Sequence, residues 1–147
     1  MPPSWAYFDT SALVKRYVSE PGSFQARALL RRHDFLSSAI TPVELMSALH
    51  RRRRTGDVSE ATLQAVLRRV LRDRTRWELV EVGPSILSRA EDLIQAGAPI
   101  KALDAIQIAS AIAFQAASSI QIPFITGDGQ QRDAAARLGL GVVWVGI

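Results

Sequence analysis

The chain has 147 residues, no cysteine and only two histidines, His33 and His50. That length fits one domain, and the composition excludes disulfides, thiolate zinc sites and a cysteine nucleophile. Apolar residues make up 48% and charged residues 22%, which excludes a disordered tail protein, while Lys plus Arg exceed Asp plus Glu by 18 to 14.

The basic excess lies in the first half. Residues 1–74 carry 13 bases and 7 acids, and residues 75–147 carry 5 bases and 7 acids. The bases are arginines except Lys15 and Lys101. A guanidinium is a planar fork that matches phosphate, so an anionic partner is expected. No run of 18 apolar residues occurs, so no membrane span is expected. Met1-Pro2-Pro3-Ser4-Trp5 carries neither a basic leader nor a long apolar stretch, so the expectation is a cytoplasmic protein without a signal peptide.

Trp5–Phe8 is a short apolar run and reads as a buried strand. Asp9-Thr10-Ser11 follows it with capping side chains and opens a helix through Ala12-Leu13-Val14. Glu20-Pro21-Gly22-Ser23 breaks the chain, and a helix from Ser23 to Leu30 precedes a strand at Phe35–Ile40. At Thr41-Pro42-Val43-Glu44 the spacing predicts a helix start, with Thr41 as N-cap, Pro42 at the first position and Glu44 closing a capping box. That helix runs into Arg51–Arg54 and stops near Gly56. Ser59 opens the next, where Leu63, Val66, Leu67, Val70 and Leu71 repeat at helical spacing. Trp77–Val82 is a third strand, and Pro84 opens a helix closed by Gly97. Residues 103–117 are apolar nearly all round, the mark of a helix buried on most sides. Ile122–Ile125 is a fourth strand, Gln130–Leu138 a last helix and Val142–Val145 a fifth strand. Strands alternating with helical segments of this length predict an α/β fold. It would have a mostly parallel central sheet of about five strands and helices on both faces.

Four acids stand at special places. Asp9 and Asp128 each follow a buried strand, and Glu44 and Asp104 each fall in the first turn of a predicted helix. In an open parallel sheet, strand ends and helix starts meet at the carboxyl edge, where ligands bind. Each acid also has a local reading: Glu44 as a capping-box residue, Asp9 as an N-cap, Asp104 as a helix-dipole partner, Asp128 as part of a turn. Taken together, clustered carboxylates repel one another and lose hydration. A hard divalent cation relieves both, and an all-oxygen donor set favours magnesium or manganese over zinc.

These residues carry a resemblance. Asp9-Thr10-Ser11-Ala12-Leu13-Val14-Lys15, Thr41-Pro42-Val43-Glu44-Leu45, Leu103–Ala111 and Phe124-Ile125-Thr126-Gly127-Asp128 together resemble the PIN domain, and within it the VapC-type toxins. The likeness runs over essentially the whole chain. It implies a single PIN domain over residues 1–147 and a Mg²⁺- or Mn²⁺-dependent endoribonuclease, the toxin of a type II toxin–antitoxin pair. It further implies an RNA substrate, a cognate antitoxin and a homodimer. By the same resemblance Asp9, Glu44, Asp104 and Asp128 form the acidic quartet that holds the metal, and Ser11 and Thr126 are its polar supports. Asp9 and Asp104 are the first choices as direct ligands, while Glu44 and Asp128 are open to binding the metal directly, binding it through water or orienting the nucleophile. Gln107 departs from the pattern, standing where many relatives carry histidine. Gly129-Gln130-Gln131 is more polar than usual. Asp133 reads as a helix-surface acid. Nine arginines between Arg51 and Arg76 suit RNA phosphates, an antitoxin or a solvated helical face.

Other classes fit less well. A PIN-like module that binds RNA or protein without cutting it would not need all four acids. In a phosphotransferase using Asp9 as nucleophile, the second aspartate two residues on is replaced by Ser11. No P-loop occurs, Gly139-Leu140-Gly141 precedes a strand rather than a helix, and neither histidine sits in a hydrolase motif.

Overall fold

The computed structural model describes residues 4–147, so Met1–Pro3 of the N-terminal reading lie outside the described residues. The chain alternates as expected. β1 (Trp5–Phe8) leads to α1 (Thr10–Tyr17) and α2 (Ser23–Arg32), then β2 (Asp34–Ser38) to α3 (Thr41–Arg54) and α4 (Glu60–Asp73). A single 3-10 turn (Arg74–Arg76) precedes β3 (Glu78–Val80), followed by α5 (Pro84–Gln95), α6 (Ala102–Ser118), β4 (Pro123–Thr126), α7 (Gly129–Arg137) and β5 (Gly141–Trp144). The five strands form one parallel sheet in the order β3-β2-β1-β4-β5.

That order fixes where a ligand can sit. From β1 the chain steps outward through β2 to β3, then crosses back to β4 and steps outward the other way to β5. The direction reverses between β1 and β4, and at such a switch point the loops leaving two neighbouring strands diverge and open a crevice. Asp9 follows β1 and Asp128 follows β4, whose strands pair through Tyr7–Phe124 and Phe8–Ile125.

Alternation along the strands divides the core into two layers. Ala6, Phe8, Phe35 and Ile125 face Ala12, Leu13, Leu29, Leu45, Leu49 and Val70 from α1–α4. Tyr7, Leu36 and Phe124 face Ile108, Ala111, Ala134 and Ala135 from α6 and α7. A satellite cluster of Ile86, Ala90, Ala105 and Ala109 holds α5 against α6. Helices therefore cover both faces, as the alternating pattern requires.

Local expectations differ from the structure at three places. β2 ends at Ser38, short of the expected Ile40, where the chain turns into α3. The third strand is shorter than Trp77–Val82 at both ends: only Glu78–Val80 pair with Leu36–Ser38, and Trp77 packs its ring against Phe35, 5.1 Å between centroids. The capping box at Thr41 does not form. Helix α3 begins at Thr41 itself, with Ile40 as N-cap and no side-chain cap. The Thr41 hydroxyl instead meets Ser37 Oγ at 2.6 Å, and Glu44 turns toward the neighbouring helices α1 and α6.

Candidate metal centre

Asp9 stands at the end of β1, where its backbone N–H donates to Ile125 O across the sheet. Its side chain caps α1, with Oδ1 accepting from the Ala12 N–H at 3.0 Å. The same Oδ1 accepts from Ser11 Oγ at 2.6 Å, and Oδ2 accepts from Thr126 Oγ1 at 2.5 Å. Capping and site-building are thus one arrangement. Asp9 is 1% exposed, and burial raises its pKa from 3.8 to about 6 despite these three bonds, with the Asp128 charge adding to the rise.

Glu44 is held by two donors. Thr10 Oγ1 lies 2.9 Å and Gln107 Nε2 2.7 Å from its Oε1. Gln107 is 1% exposed, and its orientation is fixed from behind by Tyr7, whose hydroxyl donates to Gln107 Oε1 at 2.5 Å. Burial, together with the Asp9 charge, raises the Tyr7 pKa, so the phenol stays a donor and the carboxamide must present its NH₂ to Glu44. Thr41 Oγ1 takes another Gln107 proton at 3.0 Å.

Asp104 lies in the first turn of α6, half-buried. Its pKa is raised by desolvation first and by the Asp128 charge second. Asp128 caps α7, with Oδ1 accepting from the Gln130 and Gln131 N–H groups at 2.8 and 3.0 Å. The loop before it is tight. A Cβ on Gly127 would lie 2.7 Å from Lys15 Cε, and the Gly127 N–H donates to Ser11 Oγ at 2.9 Å.

All four acids line one crevice of about 260 Å³ at the carboxyl edge of the sheet, together with Thr10, Ser11, Gln107, Gln131 and Arg51. Among the described residues no three His, Asp or Glu side chains already stand at ion-holding spacing. The carboxylates ring one space, each held by its own donors. Three features fit a hard divalent cation. The titratable donors of the crevice are all carboxylates. Two of them, Asp9 and Asp104, have raised pKa values. And Gln131 Oε1 is buried without a hydrogen-bond partner.

The sequence does not single out several of these residues. Thr10 reads as a capping residue, although its hydroxyl holds Glu44. Arg51 belongs to the basic run, although it lines the crevice. Tyr7 belongs to a buried strand, although its hydroxyl orients Gln107. No spacing rule points to any of them, because their roles arise from contacts between α1, α3, α6 and β1. Asp133 is exposed and bonded to Arg132, in keeping with a surface acid.

A parallel sheet with this switch point, and acids at the ends of β1 and β4 and the starts of α3 and α6, defines a class. The model of the PIN domain family matches residues 6–137, and the chain belongs to that family. It is 36% identical over 138 residues to Ribonuclease VapC46 of Mycobacterium tuberculosis, covering 93% of this chain and 95% of that protein. Two solved structures share the fold, each 19% identical to this chain. One is a toxin–antitoxin complex from Klebsiella pneumoniae, with TM-score 0.61 and coverage of 97% of this chain and 99% of that one. The other comes from Pyrobaculum aerophilum, with TM-score 0.58 and coverage of 92% and 87%.

Proposed function

We propose that this chain is a Mg²⁺- or Mn²⁺-dependent endoribonuclease and the toxin of a toxin–antitoxin pair. The observation that carries the reading is the convergence of Asp9, Glu44, Asp104 and Asp128 on one crevice at the β1–β4 switch point. The 36% identity to a protein named as a ribonuclease supports it.

In this reading Asp9 and Asp104 are direct ligands, because both gain most from a counter-charge. Glu44, held by Thr10 and Gln107, and Asp128, held by the start of α7, complete the donor set. A bound divalent ion lowers the pKa of water and polarises the phosphoryl oxygens, which is the chemistry of in-line phosphodiester cleavage. Ser11 and Thr126 keep the Asp9 oxygens in place. Arg51, exposed and without a salt bridge among the described residues, sits in the crevice lining and meets the phosphate.

The RNA approaches over the arginine face of α3 and α4. Arg52 and Arg53 pair with acids, and Arg69 lies over the Tyr17 ring. Arg54, Arg68, Arg72, Arg74 and Arg76 are exposed and form no salt bridge among the described residues. Charges left free in this way suit phosphate contacts. The chain works in the cytoplasm, where its substrate is, and no described helix is long and apolar enough to cross a membrane. It pairs with itself, for which exposed Phe24, Val43 and Leu71 offer apolar surface, and with an antitoxin that sets a basic side chain against the acidic crevice.

The test is cleavage of a structured RNA with Mg²⁺ or Mn²⁺, with EDTA and Asp9→Asn as controls and circular dichroism on the same samples. The reading expects cleavage that EDTA and the folded Asp9→Asn variant both abolish. Undiminished cleavage by the folded variant overturns it, and RNA binding without cleavage under any metal points to a binding module. Light scattering at high concentration tests the homodimer, and a monomer counts against it.

A further inference from the structure

We infer that Gln131 is a further residue of the cation site, its carboxamide oxygen receiving a hydrogen bond from the hydrated cation. The inference rests on the metal-site reading above and adds a residue that the acidic quartet does not include. Gln131 is 3% exposed, yet it lines the crevice and lies in the first turn of α7. It is tied to two of the four acids. Its backbone N–H donates to Asp128 Oδ1 at 3.0 Å, and its Nε2 lies 3.4 Å from Asp104 Oδ1.

The facing carboxylate settles which end of the carboxamide is which, since Asp104 accepts and only the NH₂ donates. The oxygen is therefore the other end, and it is the one buried side-chain polar atom among the described residues without a hydrogen-bond partner. An unmet buried acceptor is disfavoured, and natural structures retain one where function requires it. The crevice hydroxyls of Thr10 and Ser11 already donate to Glu44 and Asp9, the four acids offer no proton, and the one cationic lining residue, Arg51, makes no bond to that oxygen, so the donor it lacks comes from a ligand. Magnesium and manganese keep several waters when bound by carboxylates, and those waters are strong donors. Groups that hold such waters commonly change metal affinity by about 10–100-fold when removed. The neighbouring Gln107 is not equivalent, because Tyr7 already occupies its oxygen.

The test is MnCl₂ binding by calorimetry and by the electron paramagnetic resonance of free Mn²⁺, without RNA, together with melting curves in EDTA and in Mn²⁺. Gln131→Met removes the unmet acceptor, and with it the long Nε2 contact to Asp104, at nearly constant volume. The expected result is a higher melting midpoint in EDTA and Mn²⁺ affinity lower by about tenfold. A purely structural glutamine predicts the opposite pair: a lower midpoint and unchanged affinity. Gln131→Glu keeps an oxygen but sets a third charge between Asp104 and Asp128. It should melt lower in EDTA and gain more from Mn²⁺ than wild type does, which keeps the test open if the methionine variant does not fold. A gain no larger than that of wild type overturns the inference. Wild-type protein that takes up no more Mn²⁺ than Asp9→Asn overturns the metal-site reading and this inference together. Wild type that binds, with Gln131→Met binding equally well, overturns the inference alone.

Discussion

Asp9→Asn is expected to stabilise the metal-free protein while ending its activity. Asp9 is buried and titrates near 6 rather than 3.8, so the folded state holds its proton more tightly than the unfolded state does. A carboxyl raised in this way costs no stability below pH 3.8. The cost grows as pH rises from there to about 6 and is complete above it, reaching ~3 kcal/mol. Asparagine carries no charge and escapes that penalty. It keeps the oxygen that accepts from Ser11 and Ala12, but its NH₂ replaces the oxygen that accepts from Thr126 Oγ1. The Thr126 hydroxyl must then rotate, a loss of about 1 kcal/mol. The net gain is about 1–2 kcal/mol at pH 7.5, or roughly 2–8 °C in melting midpoint for a chain of this size. Thermal melts in EDTA from pH 4 to 8 measure it. The difference between variant and wild type should be largest above pH 6 and shrink toward pH 4. A variant less stable than wild type at pH 7.5, or a difference that does not change with pH, refutes the reasoning.

Gln107→Leu frees Glu44 and leaves the Tyr7 hydroxyl without its acceptor. Denaturant unfolding should show a loss of about 1–3 kcal/mol, and cleavage at saturating Mn²⁺ should slow by about tenfold or more with RNA affinity retained. Leu36, fully buried beneath α6, should cost about 2–5 kcal/mol as Leu36→Ala, read as a lower denaturation midpoint with unchanged slope. Replacing exposed Arg68 and Arg72 by alanine should weaken RNA binding and reduce the dependence of log K on log salt by about 2. The single-turnover cleavage rate at saturating RNA should stay the same.

The elements were legible because local signals and long-range packing agreed. The apolar run Trp5–Phe8 became a strand buried on both faces, with Ala6 and Phe8 on one side and Tyr7 on the other, and Ser59 capped α4 where its side chain foretold. The four acids were legible because strand ends and helix starts share one edge of a parallel sheet. The strand order was not, since nothing local tells β4 to pair with β1 rather than with β3. The Thr41 reading failed for an informative reason. A capping box and a buried polar network use the same residue types, and contacts between helices outweighed the local cap. Gln107 and Gln131 looked like departures from a pattern, and only their contacts, to Glu44 and Asp104, tie them to the acids.

The most direct measurement is anomalous diffraction from a crystal soaked in MnCl₂ at a concentration that supports RNA cleavage. The account predicts a manganese peak in the crevice within bonding reach of the Asp9 and Asp104 carboxylates, absent from Asp9→Asn crystals soaked the same way. A fully soaked crystal with no peak there, or with manganese only elsewhere on the protein, would contradict it.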